Sequence, residues 1–276
     1  MTATTTPVAA TDVTDPARFD DVTIRWDGIA AVLRREWFVF KRIWRGPTFG
    51  SIFEPLIYLV AFGYGFGALV AEVAGRPYLD FMATGSAAIS ILFTGAFPAL
   101  INGYFRRNET RLYDGMIAAP LEVRELITGE ALWLSMRTAA STVVTLTVAA
   151  AFGVALSPTV VLAPVVGFFG GFVFACLGAA FATKVTNGHQ FDFVIAGFIV
   201  PMFVIAGTFF PLDDAPVWLR VPALANPLFH VTRLIRAAAF STGSATEIAV
   251  SLAILLAHGA LWWWLAQRWL QRALVN

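Results

Sequence analysis

The chain has 276 residues, 58% of them apolar and 13% charged, with a mean hydropathy of +0.72, whereas a water-soluble domain carries roughly twice that charged fraction. A net charge of +1 offers no basic surface for nucleic acid, and the lone Cys176 excludes both a disulfide framework and a cysteine-ligated metal cluster. This is the composition of a polytopic, all-α membrane protein.

Residues 1–25 lack the basic start and apolar core of a signal peptide and are expected to form a disordered cytoplasmic leader. Residues 26–46 have helical periodicity: Trp26, Ile29, Leu33, Trp37, Phe40 and Trp44 share one face, opposite Arg34, Arg35, Lys41, Arg42 and Arg45. Indole rings on one side and guanidinium groups on the other suit an amphipathic helix lying in the headgroup layer. A helix packed on a neighbour has the same pattern, and Glu36 and Phe38 fall off it.

Residues 47–267 hold six apolar spans, at about 50–73, 81–105, 131–155, 159–183, 191–210 and 248–267, each near the ~20 residues that cross ~30 Å of hydrocarbon. Only Leu156, Ser157 and Pro158 join the third span to the fourth, which predicts a tight antiparallel hairpin. Gly63 with Gly67, and Gly167 with Gly171, are small-xxx-small pairs suited to close helix packing, within the subunit or at a dimer seam. After the fifth span the chain turns at Pro211 into a stretch with further prolines at 216, 222 and 227. It is too polar to cross a bilayer and too rich in Leu, Val, Trp and Phe for a solvated loop, so it reads as a re-entrant outer segment. Residues 268–276 form a short cytoplasmic tail.

Basic residues set the orientation. The leader and its helix, the loop after span two, Lys184 and the tail carry fourteen Lys and Arg; the opposite side carries Arg76, Arg220, Arg233 and Arg236. Both termini therefore belong in the cytoplasm and the proline-broken stretch faces outward, with Asp213 and Asp214 at its exit. Arginine far outnumbers lysine in an alanine-rich chain, a hint of a GC-rich bacterial source and so of a bacterial inner membrane.

The loop 106–130 is the densest charged segment of the membrane part. Its length exceeds that of an ordinary helix connection, and it reads either as a solvated connector or as a docking surface. In the second reading Met116 and Ile117 make apolar contact and Arg107, Arg111 and Asp114 form a charged rim. Ionisable groups inside the spans are Glu54, Glu130, Arg137 and His258. Such groups are often functional, but Glu54 and Arg137 lie close enough to the boundary to pair or snorkel, and His258 has no acidic partner in its own span. Trp262, Trp263 and Trp264 precede Arg268 as an interfacial anchor.

Chemistry is sparsely encoded. Lysine occurs only at 41 and 184, so no G-x-x-x-x-G-K-[ST] phosphate loop exists, and any ATP must be bound by another polypeptide. There is no H-E-x-x-H motif, no Asp/His metal cluster and no G-x-S-G nucleophile turn, although Ser86 follows Gly85 and His258 lies elsewhere in the membrane part.

Three stretches carry a resemblance: residues 55–67 (PLIYLVAFGYGFG), residues 109–116 with 127–133 (ETRLYDGM, ITGEALW), and residues 206–219 with 226–236 (AGTFFPLDDAPVWL, NPLFHVTRLIR). Through them residues 50–240 resemble the permease subunit of an ABC-2 type exporter, in particular its NodJ-like, lipo-oligosaccharide branch. The resemblance implies a homodimer, or a heterodimer with a related permease, of six-span subunits. Two copies of a cytoplasmic ABC ATPase, which hold the ATP and Mg, would dock on it. It implies an ATPase-coupling role for Arg107, Glu109, Arg111, Asp114 and Met116. It further implies an outer gate at Phe210, Pro211, Leu212, Pro216, Trp218, Pro227 and His230, with Arg236 heading the return to span six. Arg233 stands where relatives often carry aspartate. Drug or lipid export on the same fold, and an ATP-independent scramblase, channel or intramembrane hydrolase, are the competing readings.

Overall fold

The computed structural model describes residues 25–275 except 68, 71, 74, 118–120 and 213–214. Residues 1–24 of the expected disordered leader, together with Asp213 and Asp214, lie outside the described residues, as do the side chains of Glu54, Asp114 and Ile117.

Helix α1 (Trp26–Ile43) is followed by α2 (Arg45–Tyr58), which continues as a π-helical stretch over Leu59–Phe66. A two-stranded hairpin, β1 (Glu72–Val73) with β2 (Arg76–Pro77), turns at Gly75, whose φ of 72° suits a residue without a Cβ. It leads into α3 (Tyr78–Tyr104), a π turn over Phe105–Glu109, and the short α4 (Leu112–Ile117). Helix α5 (Val123–Ala151) starts at a capping box: the Glu122 side chain accepts from the backbone near Glu125, and the Glu125 carboxylate accepts from the Glu122 N–H. This cap begins the helix eight residues before the apolar run at Ala131 that marked the span in the sequence.

A 3₁₀ turn over Pro158–Leu162 then enters α6 (Ala163–Ala182), and α5 and α6 form the expected antiparallel hairpin. Helices α7 (Gln190–Val194) and α8 (Val200–Val204) join through a π turn at Ile195–Ile199. Two short helices, α9 (Val217–Leu224) and α10 (Pro227–Phe240), precede the long α11 (Ala245–Val275).

Helix α3 is the core. From Asp80 to Leu92 every residue is buried, as expected of a helix surrounded by others. Helices α5, α6 and α10 pack around it. Small residues permit the approach: a Cβ on Gly85 would lie 2.3 Å from the Thr208 carbonyl, and one on Gly178 would lie 2.3 Å from that of Ala96. Gly167 and Gly171 face Thr142 and Thr138 of α5, so this small-residue pair closes an internal seam. The Ser90 and Ser141 hydroxyls share a buried hydrogen bond of 2.8 Å across α3 and α5.

Four described helical segments are long and apolar enough to cross a membrane: Tyr78–Glu109, Val123–Ala151, Pro158–Ala182 and Ala245–Leu274. They correspond to the second, third, fourth and sixth spans of the sequence. The fifth is the shorter apolar helix Gln190–Val204; at 1.5 Å per residue it is about 22 Å long, less than the hydrocarbon thickness. The first corresponds to the continuous helical run Arg45–Phe66.

Helix α1 is amphipathic, with some of its indoles left uncovered by the rest of the chain. It packs on α5 with Gly28, Ile29, Val32 and Glu36 buried and with Trp37 and Phe40 edge-on to Trp133, whereas Trp26 is 77% exposed and Trp44 is exposed as well. Two glycines permit the close approach to α5. A Cβ on Gly28 would meet the Glu125 carboxylate, and one on Gly129 would lie 2.7 Å from Val32, so the start of α1 meets α5 along a stripe of minimal bulk and its later turns meet it through aromatic rings.

Candidate functional site

The α1–α5 contact brings Glu36, off the apolar pattern of its helix, to the end of α3. There it meets Arg106, whose Nη1 lies 2.9 Å and whose Nη2 lies 3.1 Å from the two Glu36 carboxylate oxygens. The same guanidinium donates to Glu130 of α5, and the Tyr113 hydroxyl of α4 donates to the other Glu130 oxygen at 2.8 Å. Arg35 pairs with Glu36 from the outer side. All three central side chains are largely buried. Burial, reinforced by the adjacent Glu130 charge, holds the Tyr113 hydroxyl well above its ordinary pKa, so it remains a donor at neutral pH. Four segments of chain thus converge on one charged knot. The sequence marks Glu130 as an ionisable group within a span and Glu36 only as an exception to the pattern of its helix, and nothing in it pairs either with Arg106.

A second buried acid fixes the start of α1. Glu125, with 0% exposure, accepts from the Arg25 backbone N–H at 2.9 Å and from its Nε at 3.3 Å. Alongside, Arg25, Asp27, Gly28, Val32, Met116 and Leu121 border an open groove of about 480 Å³. Met116, from the proposed coupling loop, is therefore half-buried in the wall of this groove. Arg107 directs its guanidinium to the Thr183 and Val185 carbonyls at the end of α6, the latter at 2.7 Å, where cationic donors complement the helix C-terminus. Glu109 is exposed and accepts from the Tyr104 hydroxyl at 3.2 Å. Arg111 is exposed with a φ of 46°, which bends the chain into α4. The loop residues are thus brought together with α1 and the end of α6.

At the opposite end, the Asn226 side chain accepts the Leu228 N–H at 2.9 Å and donates to the Met202 carbonyl at 2.6 Å. Pro227 follows as the first residue of α10, where its missing N–H is harmless. His230 is buried, and its Nε2–H donates to the Leu224 carbonyl at 2.9 Å, tying α10 to the end of α9. Arg236 clamps the chain beyond α8: its Nη2 donates to the Gly207 carbonyl at 2.8 Å, its Nε to Thr84 at 3.3 Å, and its plane lies 3.9 Å from the Phe81 ring. Gly207 has a φ of 69° and Leu212 is buried against it. Pro211 is half-buried, Pro216 caps α9, and Phe210 and Trp218 are exposed, Trp218 by 74%. Polar bonds hold His230 and Arg236 in place and Pro227 is buried beside the bonded Asn226, while Phe210 and Trp218 of the expected gate are exposed.

Arg137 lies 5.8 Å from the Phe40 ring and borders the cavity that also contains Glu36, Arg106 and Glu130. His258 bonds within its own helix, to the Ile254 carbonyl. Among the described residues, no three His, Cys, Asp or Glu side chains converge as a metal site would require.

The profile of the ABC-2 type transporter family matches residues 28–240. The chain belongs to that family. This ABC-2 permease is therefore a multi-pass membrane protein whose fold and sequence agree. It is 30% identical to Nodulation protein J of Sinorhizobium fredii over 77% of its length and 81% of that protein's. It is equally similar to Nodulation protein J of Rhizobium leguminosarum bv. trifolii, at 30% over 75% and 79% of the two chains. A more distant likeness, 22% identity over 38% of this permease and 40% of the relative, links it to the inner membrane transport permease YadH of Escherichia coli. The match begins at Gly28, so α1 is part of the family domain, whereas the resemblance read from the sequence began near residue 50.

Proposed function

We propose that this chain is the membrane subunit of an ATP-driven exporter in a bacterial cytoplasmic membrane, moving an amphipathic glycolipid of the lipo-oligosaccharide kind outward. The observation that carries the reading is the Glu36–Arg106–Glu130–Tyr113 knot, which couples the loop after α3 to α1 and α5. A push on the exposed side of that loop, at Arg111, would be passed to three helices at once rather than absorbed by a slack connector.

In this proposal α2 and the α7–α8 segment complete six spans, both termini lie in the cytoplasm, and α9–α10 re-enter the outer leaflet. Two copies of a separate ATPase, carrying ATP and Mg, seat on the groove bordered by Asp27, Val32 and Met116. The permease pairs with a second copy. The exposed apolar residues Phe49, Phe53 and Ile57 of α2 and Phe193 of α7 support a partner on that side. Closure of the ATPases moves the paired loops, separates α2 and α7–α8 from the other protomer, and opens a path past Phe210, Pro211 and Trp218.

The test is co-expression with the ATPase encoded beside it, followed by ATPase and transport assays in inverted vesicles. Arg111→Ala with Asp114→Ala is expected to remove permease-stimulated ATP hydrolysis and cargo accumulation together while the complex still assembles. Unchanged transport, or cargo movement by the permease alone in liposomes, would overturn the reading.

A further inference from the structure

An open cleft of about 480 Å³ lies between the β1–β2 hairpin, the chain after α8, and helices α9, α10 and α11, a size typical of small-ligand sites. Arg76, Arg220, Arg233 and Arg236 all border it. These are the four basic side chains that the charge bias assigns to the outer side, drawn from three separate elements into one place.

The arrangement leaves donors available. Arg76 lies 4.3 Å from the Phe240 ring, so an aromatic face covers its guanidinium plane and leaves its N–H edges for another partner, while Arg233 lies 5.7 Å from Phe229 and is held by one acid. Arg220 has no ion pair among the described residues and is exposed. Among the described residues, Glu247 is the one acid in the cleft wall, bound to Arg233 at 2.6 Å, while Asp80 acts on Arg76 from within α3. Ser251 of α11 supplies a second, independent observation. Its hydroxyl borders the cleft, is 0% exposed and has no hydrogen-bond partner, and a buried hydroxyl left in that state needs an explanation.

We propose that this cleft binds a phosphate-class anion, with Arg76, Arg220 and Arg233 on its oxygens and Ser251 donating from the floor. Guanidinium forks match phosphate oxygens in pairs, and the apolar wall from Phe81, Leu234 and Phe240 suits a group that also carries a glycerol or acyl portion. The outward sidedness rests on the topology proposed above; the binding itself does not.

The experiment uses the full-length permease in detergent without ATP or partner, so its failure leaves the export reading untouched. Retention of phosphatidylglycerol is compared with that of phosphatidylcholine by native mass spectrometry, and inorganic phosphate is titrated against it. The wild type is expected to prefer phosphatidylglycerol, R220Q/R233Q to lose about tenfold in retention, as for two charge-assisted hydrogen bonds partly replaced by water, and S251A to lose less. E247Q is expected to raise retention by releasing Arg233, an effect that a purely structural role would not produce. R268Q/R272Q, at the cytoplasmic tail, controls for general cationic attraction, and unaltered melting of each variant controls for folding. Displacement by millimolar inorganic phosphate would show that the phosphate group alone suffices. Retention despite it would identify a lipid headgroup as the ligand. Equal retention of both lipids, or equal losses in R268Q/R272Q and R220Q/R233Q, would overturn the assignment.

Discussion

Arg106 neutralises two carboxylates that face each other across a helix junction, and its removal strands both. Arg106→Met is expected to destabilise the protein by about 3–5 kcal/mol, the usual penalty for leaving a buried charge unpaired. Replacing Glu36, Arg106 and Glu130 together by Gln, Met and Gln should cost much less than the single change, because the stranded charges go as well. Cys176 supplies the readout. It is the only cysteine and is fully buried, so a thiol-reactive fluorophore reports its exposure on heating; a triple variant that melts no higher than Arg106→Met would contradict this account. The sequence disclosed these charges but not their meeting. Glu36 and Arg106 lie 70 residues apart, and only the glycine-mediated approach of α1 to α5 places one against the other.

Among the elements, the α5–α6 hairpin was legible because three residues join two long apolar runs, and its seam is now specific enough to test. A Cβ on Gly171 would collide with the Thr138 hydroxyl, which is itself bound to the Gly167 carbonyl at 2.9 Å and cannot swing away. Gly171→Ala is expected to cost roughly 1–3 kcal/mol through overpacking, and Thr138→Ala in the same chain should recover part of it. Additive losses in the melting of the double variant would count against direct contact. The α9–α10 junction offers a parallel case: Asn226→Ala removes a helix cap and leaves the Met202 carbonyl without its donor, an expected loss of about 1–2 kcal/mol. Element boundaries were less legible than their existence. Hydropathy finds the apolar stretch, whereas α5 begins at a polar capping box and the apolar run after Phe191 leaves its helix at Val204, seven residues before Pro211.

For the whole molecule, the proposed sidedness makes a prediction that does not require the cargo. In a Cys176→Ala background, a membrane-impermeant maleimide added to intact cells should label Trp218→Cys and spare Arg111→Cys, both exposed positions; the reverse pattern would invert the topology. Helix α11 carries a different consequence. It runs for 31 residues, yet only 17% of its most apolar window is buried inside the subunit. At about 46 Å it is longer than ~30 Å of hydrocarbon, and α6, α10 and α5 pack along it. Its inclination is set by that packing and by the tryptophans before Arg268, and a bilayer of different thickness works against both. Because Glu247 and Ser251 ride on that same rod, any change in its tilt would also reshape the arginine cleft.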